Sequence, residues 1–198
     1  MTVIITAISI TAGIALGLIA ALGRLSSNRL FSVPATIYVT VIRGTPLLLQ
    51  ILVVYNGLPQ FGINLPALTA GLIALGVNSG AYVAEIFRAA IQSIDKGQME
   101  AALSLGMNYR QAMSRIILPQ AYRRLIPPLG NEFIALLKDS SLVSVIGIYE
   151  LMRQAQQGVS ITFKPLELYT PTLLIYLILT SVFSVIAHDL EKRLSVYE

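Results

Sequence analysis

Apolar residues run almost unbroken through five stretches of the chain, at residues 2–23, 31–55, 66–87, 129–149 and 169–187. Each is close to the roughly 20 residues that a helix needs to cross a bilayer. The first carries no charge. The second contains Arg43 and Pro46, and the fourth contains Glu132, Lys138 and Asp139, so hydropathy marks the fourth only weakly. The pattern predicts an all-α, polytopic membrane protein with five transmembrane helices in a single domain, residues 1–198. Residues 1–23 do not read as a signal peptide. The basic start is missing, and the apolar stretch exceeds a signal core.

The longest polar interval separates the third and fourth runs. It includes "EAALSLGMNYRQAMSRIILPQ", residues 100–120. Asp95 followed by Gln98 reads as a capping box, so a short helix is expected over residues 96–105. Gly106 is a natural stop, because glycine accepts the left-handed conformation that ends helices. Asn108 followed by Gln111 repeats the capping signal and starts a second helix over residues 109–118. Its apolar residues Tyr109, Met113, Ile116 and Ile117 recur at helical spacing. Pro119 is expected to prevent a simple continuation. Two short helices with an elbow follow, one side apolar and one side basic. Periodicity alone leaves two readings open: a segment lying on the membrane surface, or a docking element.

Composition sharpens the class. The chain is 55% hydrophobic and 12% charged, against about 25% charged for soluble domains, and its mean hydropathy is +0.73. With no cysteine, a disulfide framework and a thiolate metal site are excluded. The single histidine, His188, reads as an interfacial residue. The net charge of +4 reports membrane orientation rather than nucleic-acid binding. Arg24 and Arg29 follow the first run. Arg88, Lys96, Arg110, Arg115, Arg123 and Arg124 lie between the third and fourth, and Lys192 and Arg193 close the chain. The other side holds Arg153 and Lys164. The positive-inside rule therefore places the polar loop and the C-terminus in the cytoplasm, and the N-terminus outside.

Charged groups at bilayer depth are costly unless paired or facing water, which makes each a functional candidate. Arg43 sits in "RGTP", where Gly44 and Pro46 should disturb the helix. It could meet a substrate carboxylate beside the broken backbone, or pair with an acid of the same bundle. Lys138 and Asp139 point about 100° apart around a helix. With Ser140 and Ser141 they form a polar band that could hold an amino acid's two charges, or an internal ion pair. Asn78 and Tyr82 share a helix face, and with Ser79 suit helix-to-helix hydrogen bonding. Glu85 and Arg88 are spaced for an interfacial ion pair. Asn131 and Glu132 should lie where the fourth span begins. Gly13 with Gly17, and Gly76 with Gly80, are small-residue pairs that let helices approach. Residues 150–168 are polar, with a short helix expected over 150–157.

The polar loop then carries a resemblance. Glu100, Ala101 and Ala102, with Gly106, Ile116, Leu118 and Pro119, match every fixed position of the EAA motif of ATP-binding-cassette importer permeases. The stretches "YVTVIRGTPLLLQ", "GAYVAEIFRAAIQSIDKGQMEAA" and "ILPQAYRRLIPPLGNEFIALLKDSSLVSVIG" resemble the polar-amino-acid uptake permeases, over nearly the whole chain. Such permeases usually carry a further segment ahead of the first span, whereas this sequence opens almost directly in it. The resemblance implies that residues 93–120 form a coupling loop seated on a nucleotide-binding subunit. It implies two such ATPase subunits, which bind the ATP and Mg, and a second permease that is either another copy or a homologous chain. An external solute-binding protein and the plasma (inner) membrane of a prokaryote complete the expectation. The chain itself has no G-x-x-x-x-G-K-[ST] phosphate loop and is expected to hold no cofactor or metal.

Two other function classes compete with this reading. An ion-coupled secondary amino-acid transporter could use Lys138 and Asp139 as a relay, but gives the ordered loop no purpose. An intramembrane enzyme would need a catalytic constellation that one histidine and no cysteine do not provide. As for substrate, Arg43 and Lys138 suit a carboxylate. Asp139, Glu132 or Glu150 could suit a basic side chain, which favours arginine, histidine or lysine over glutamine.

Overall fold

A computed structural model describes residues 1–195, and all regular structure among them is helical. Helix α1 (Thr2–Leu25) is apolar until Arg24 and ends where Ser26 turns to extended backbone. It lies along α4 (Ala67–Gln92), and glycines set the approach. A Cβ on Gly17 would fall 2.6 Å from Val83 Cγ1, and one on Gly13 would fall 2.9 Å from Ser79. Gly80 of α4 faces Leu16 and the Tyr38 hydroxyl as tightly. The two small-residue pairs of the sequence therefore meet at one seam.

Helix α2 (Arg29–Arg43) starts on an Asn28 cap, whose side chain accepts from the Leu30 amide at 2.9 Å. Its Tyr38 hydroxyl donates to the Val77 carbonyl of α4 at 2.7 Å. The expected second span is not one helix. Pro46 has no N–H to give and disfavours helical backbone at Thr45. The chain therefore breaks, and α3 (Leu47–Leu52) leaves at 105° to α2. It continues through a wide turn at Val53–Gly57 and a tight one at Leu58–Phe61.

After α4 come α5 (Lys96–Ser104) and α6 (Tyr109–Ala112). A wide π-type turn, Met113–Ile117, then feeds directly into α7 (Leu118–Asp139). Pro119 thus does not stop the segment. It sits in the first turn of α7, where a missing N–H is harmless. The fourth span also differs from its expected bounds. Its helix begins well before residue 129 and tightens to 3₁₀ geometry over Ser140–Ile146, ending at the left-handed Gly147. Helix α8 (Leu151–Thr162) is longer than expected, and α9 (Pro165–Ser195) closes the chain.

By length and apolarity, α1, α4 and α9 can cross a membrane, and the bent α2–α3 pair makes a fourth candidate. The main core joins Ile5 and Ile10 of α1, Ile51 of α3, Leu75 and Val83 of α4, Leu136 of α7 and Val143. Helix α9 packs on α7 and α8 and presents Leu173, Leu177, Ile178 and Val185 outward.

Candidate functional site

The polar loop is held from below by its own apolar residues. Ile94, Ile117 and Ala121 are buried together, with Ile91, Met99, Met113 and Ile116 packed against them. Asp95 caps α5 by accepting from the Gly97 amide at 2.7 Å. The expected box with Gln98 does not form. The Gln98 amide oxygen instead faces Gln120 Nε2 at 3.5 Å. At the other end of α5, Gly106 is left-handed with φ of 81°. The Gly106 amide donates to Leu103 O at 3.0 Å, and the Met107 amide to Ala102 O at 3.2 Å. These two bonds make a Schellman stop. Both halves of the Asn108–Gln111 capping box are present, at 3.0 and 2.9 Å.

The elbow presents a surface that differs from the one periodicity suggested. Of Tyr109, Met113, Ile116 and Ile117, only Tyr109 points outward; the others fill the loop's own core. The outward apolar residues are Leu105, 85% exposed, with Leu103, Tyr109, Leu118 and Tyr122. Glu100, Ala101, Gly106 and Pro119 are also exposed, with Arg110 and Arg115 nearby in sequence, while Ala102 is buried. Leu105 was missed because it lies at the helix end, outside any periodic stripe. Its signal was local, an apolar residue directly before a stop glycine.

Deeper in the bundle, three arginines converge on one carboxylate. Arg24 of α1 and Arg88 of α4 both bond to Glu85, and Arg43 Nη1 of α2 lies 3.8 Å from it. The Arg43 guanidinium also stands 5.2 Å from the Tyr82 ring centroid, in cation–π range. One turn away, Asn78 Nδ2 donates to Gln50 Oε1 at 3.0 Å. The Gln50 amide in turn donates to Ile42 O at 2.8 Å and to Thr45 Oγ1 at 2.9 Å. Gln50 therefore closes the carbonyls left open by the Pro46 break. The structure so brings Arg43, Tyr82 and Asn78 to one region of α2, α3 and α4.

The second polar group divides. Lys138 is exposed and, with Ser141, lines a cavity of about 360 Å³ beside Tyr169, Thr172 and Tyr176. Asp139 is half-buried, and the buried Ser140 hydroxyl donates to its own helix at Leu137 O, 2.7 Å. Arg43, Asn78 and Tyr82 do not line that cavity. Glu132 accepts from the Ser79 hydroxyl at 2.9 Å, joining α7 to α4. Glu150 is 1% exposed and already accepts from Met152 N, Arg153 N and the Tyr176 hydroxyl, at 2.9, 2.7 and 2.9 Å. It caps α8 and ties it to α9, so its carboxylate has no open face for a basic side chain. No group of three or more potential metal ligands occurs among the described residues.

Residues 13–196 match the family model described as binding-protein-dependent transport system inner membrane component. The chain is 39% identical over 198 residues to the glutamine transport system permease protein of Escherichia coli (strain K12), covering 99% of this chain and 90% of that protein. It is 42% identical over 195 residues to the arginine transport system permease protein of Bacillus subtilis (strain 168), covering 98% and 89%. Among solved structures, a crystal structure of an amino acid ABC transporter with histidines superposes with a TM-score of 0.94 at 50% identity, covering 98% of this chain and 90% of that one. Inward-facing structures of a methionine ABC transporter share the fold, with a TM-score of 0.82 at 18% identity over 98% and 93% of the two chains.

Proposed function

The chain belongs to the binding-protein-dependent transport system inner membrane components, and we propose that it is the permease of an ATP-driven importer for polar amino acids. It is a transport component, and ATP hydrolysis belongs to a separate ATPase. The observation that carries the reading is the ordered elbow. A Schellman stop and a complete capping box fix its geometry, and they hold Leu105 at 85% exposure on a packed base, as a docking surface requires. Relatives named for glutamine and arginine transport support the amino-acid class.

In this reading α1, the broken α2–α3 pair, α4, α7 and α9 are five crossings, with the N-terminus outside and the elbow and C-terminus in the cytoplasm. Residues 93–120 are the coupling loop. Glu100, Ala101, Ala102, Gly106, Ile116, Leu118 and Pro119 shape it, and Leu103, Leu105 and Tyr109 enter the ATPase surface. Two permeases enclose the path, two ATPase subunits bind ATP and Mg beneath them, and an external binding protein delivers the substrate. Closure of the ATPase pair draws the elbows together and opens the permeases outward. Arg43, Asn78, Tyr82, Lys138, Asp139, Ser140 and Ser141 are the substrate-path candidates, and Arg43 and Lys138, in separate regions of the bundle, are each a cation suited to a carboxylate.

The test is ATP hydrolysis by the reconstituted complex against a panel of amino acids. Stimulation by a polar amino acid supports the reading and names the substrate. Uptake that follows an ion gradient and ignores ATP would overturn it.

A further inference from the structure

An apolar groove of about 320 Å³ lies between α7 and α9, with α1 at its rim. Ile10 and Ile14 come from α1, Leu129 and Phe133 from α7, and Ile186 and Leu190 from α9. Its floor is the close contact of the two helices, where a Cβ on Gly130 would lie 3.1 Å from Ala187 Cβ. The rings of Phe133 and Phe183 meet at one end, with centroids 4.7 Å apart and tilted by 50°. From there the groove runs along α7 to Ile126, roughly 10 Å at the helical rise.

The open end is basic. Arg123 precedes Ile126 by one turn of α7, and Arg193 follows Leu190 by one turn of α9, so both continue the groove's own helix faces. Near that end the cations Arg123, Arg124, Lys192 and Arg193 outnumber the carboxylates Asp189 and Glu191 among the described residues. Arg193 pairs with Asp189 at 2.9 Å and still holds its side chain 76% exposed.

We propose that this groove seats the headgroup-proximal part of one acyl chain of an anionic phospholipid, with the headgroup phosphate at the Arg123–Arg193 end. Inside a bilayer, apolar lining alone selects nothing, because lipid tails are present everywhere. Shape and headgroup charge make the choice. The groove is a short slot along α7, bounded by the Phe133 and Phe183 rings, that suits a slender chain. A second permease on this face is the rival occupant, and the Ile186→Cys arm of the experiment separates the two. The basic mouth adds the attraction that an anionic headgroup feels near Lys and Arg. In the orientation proposed above, on which this placement rests, the basic end lies in the cytoplasmic leaflet.

The experiment is native mass spectrometry of the permease–ATPase complex, extracted in neutral detergent and given equal phosphatidylglycerol and phosphatidylcholine. Wild type should retain phosphatidylglycerol preferentially. Ile186→Trp fills the groove and should lose the bound lipid. Arg193→Gln is exposed and leaves the groove intact. It should bind phosphatidylglycerol about fivefold less, as expected for one basic side chain near a charged headgroup. ATP hydrolysis by the Arg193→Gln complex should stay at the wild-type rate, which separates lipid binding from transport. Equal retention of the two lipids by wild type would overturn the proposal. So would undiminished phosphatidylglycerol on Ile186→Trp, or a disulfide between permease copies through Ile186→Cys.

Discussion

The backbone amide of Met107 donates to the carbonyl of Ala102 at 3.2 Å, across a glycine whose φ is 81°. That bond closes α5 and sets the direction in which α6 departs. A side chain at Gly106 meets no neighbouring atom within 4 Å, so the constraint there is conformational rather than steric crowding. Gly106→Ala should cost about 1–2 kcal/mol, the penalty of left-handed backbone for an ordinary residue. Because the loop lies away from the main core, thermal unfolding should shift little while substrate-stimulated ATP hydrolysis falls. Gly106→Asn, which tolerates that backbone better, should recover much of the coupling. Paired melting and ATPase assays check both.

The α1–α4 seam makes a stability prediction. Gly17→Ala would place a methyl 2.6 Å from Val83 Cγ1 and 2.9 Å from the Gly80 carbonyl. Overpacking of this kind costs about 1–3 kcal/mol. Gly57→Ala, whose Cβ would meet only Val53 Cγ1 at an ordinary van der Waals distance of 3.7 Å, should be close to neutral. Thermal unfolding of the two extracted variants should differ clearly, with Gly17→Ala the lower.

Gln50 and Asn78 should behave as one unit. Gln50 bridges the Ile42 carbonyl at the helix break to the Asn78 amide of α4. Losing it strands polar groups on both sides, a penalty of about 1–3 kcal/mol. Asn78→Ala should cost less, and the double variant should cost less than the sum of the two. A double-mutant cycle on melting temperature measures the coupling, and strict additivity would show that the two side chains act separately.

Local chemistry was legible in the sequence wherever a few adjacent residues decide the backbone. Gly106, the Asn108–Gln111 box and the break in "RGTP" all lie where the residue types require them. What depends on distant partners was not legible. The Glu85–Arg88 pair follows from its spacing and is present, but Arg24 lies 61 residues from Glu85, and nothing in its run announces that it and Arg43 join the same carboxylate. Gln98 carries the spacing of a capping box, yet its side chain turns to Gln120 on the returning helix. Pro119 reads as a stop, but the wide turn at Met113–Ile117 places it where α7 begins anew. The stripe Tyr109, Met113, Ile116 and Ile117 predicts one helix over residues 109–118, but α6 ends at Ala112 and a π-type turn carries the other three inward, leaving only Tyr109 outside.

The most direct measurement exploits the absence of cysteine in the chain. Single cysteines would be placed at Leu105, Tyr109 and the buried Ile117, and the assembled complex treated with a short thiol-to-amine cross-linker. If the elbow seats on the ATPase, Leu105→Cys and Tyr109→Cys become joined to the ATPase subunit, nucleotide changes the yield, and Ile117→Cys stays unjoined. If Leu105→Cys and Tyr109→Cys give no product with the ATPase while the complex remains assembled and active, the elbow is not the coupling surface.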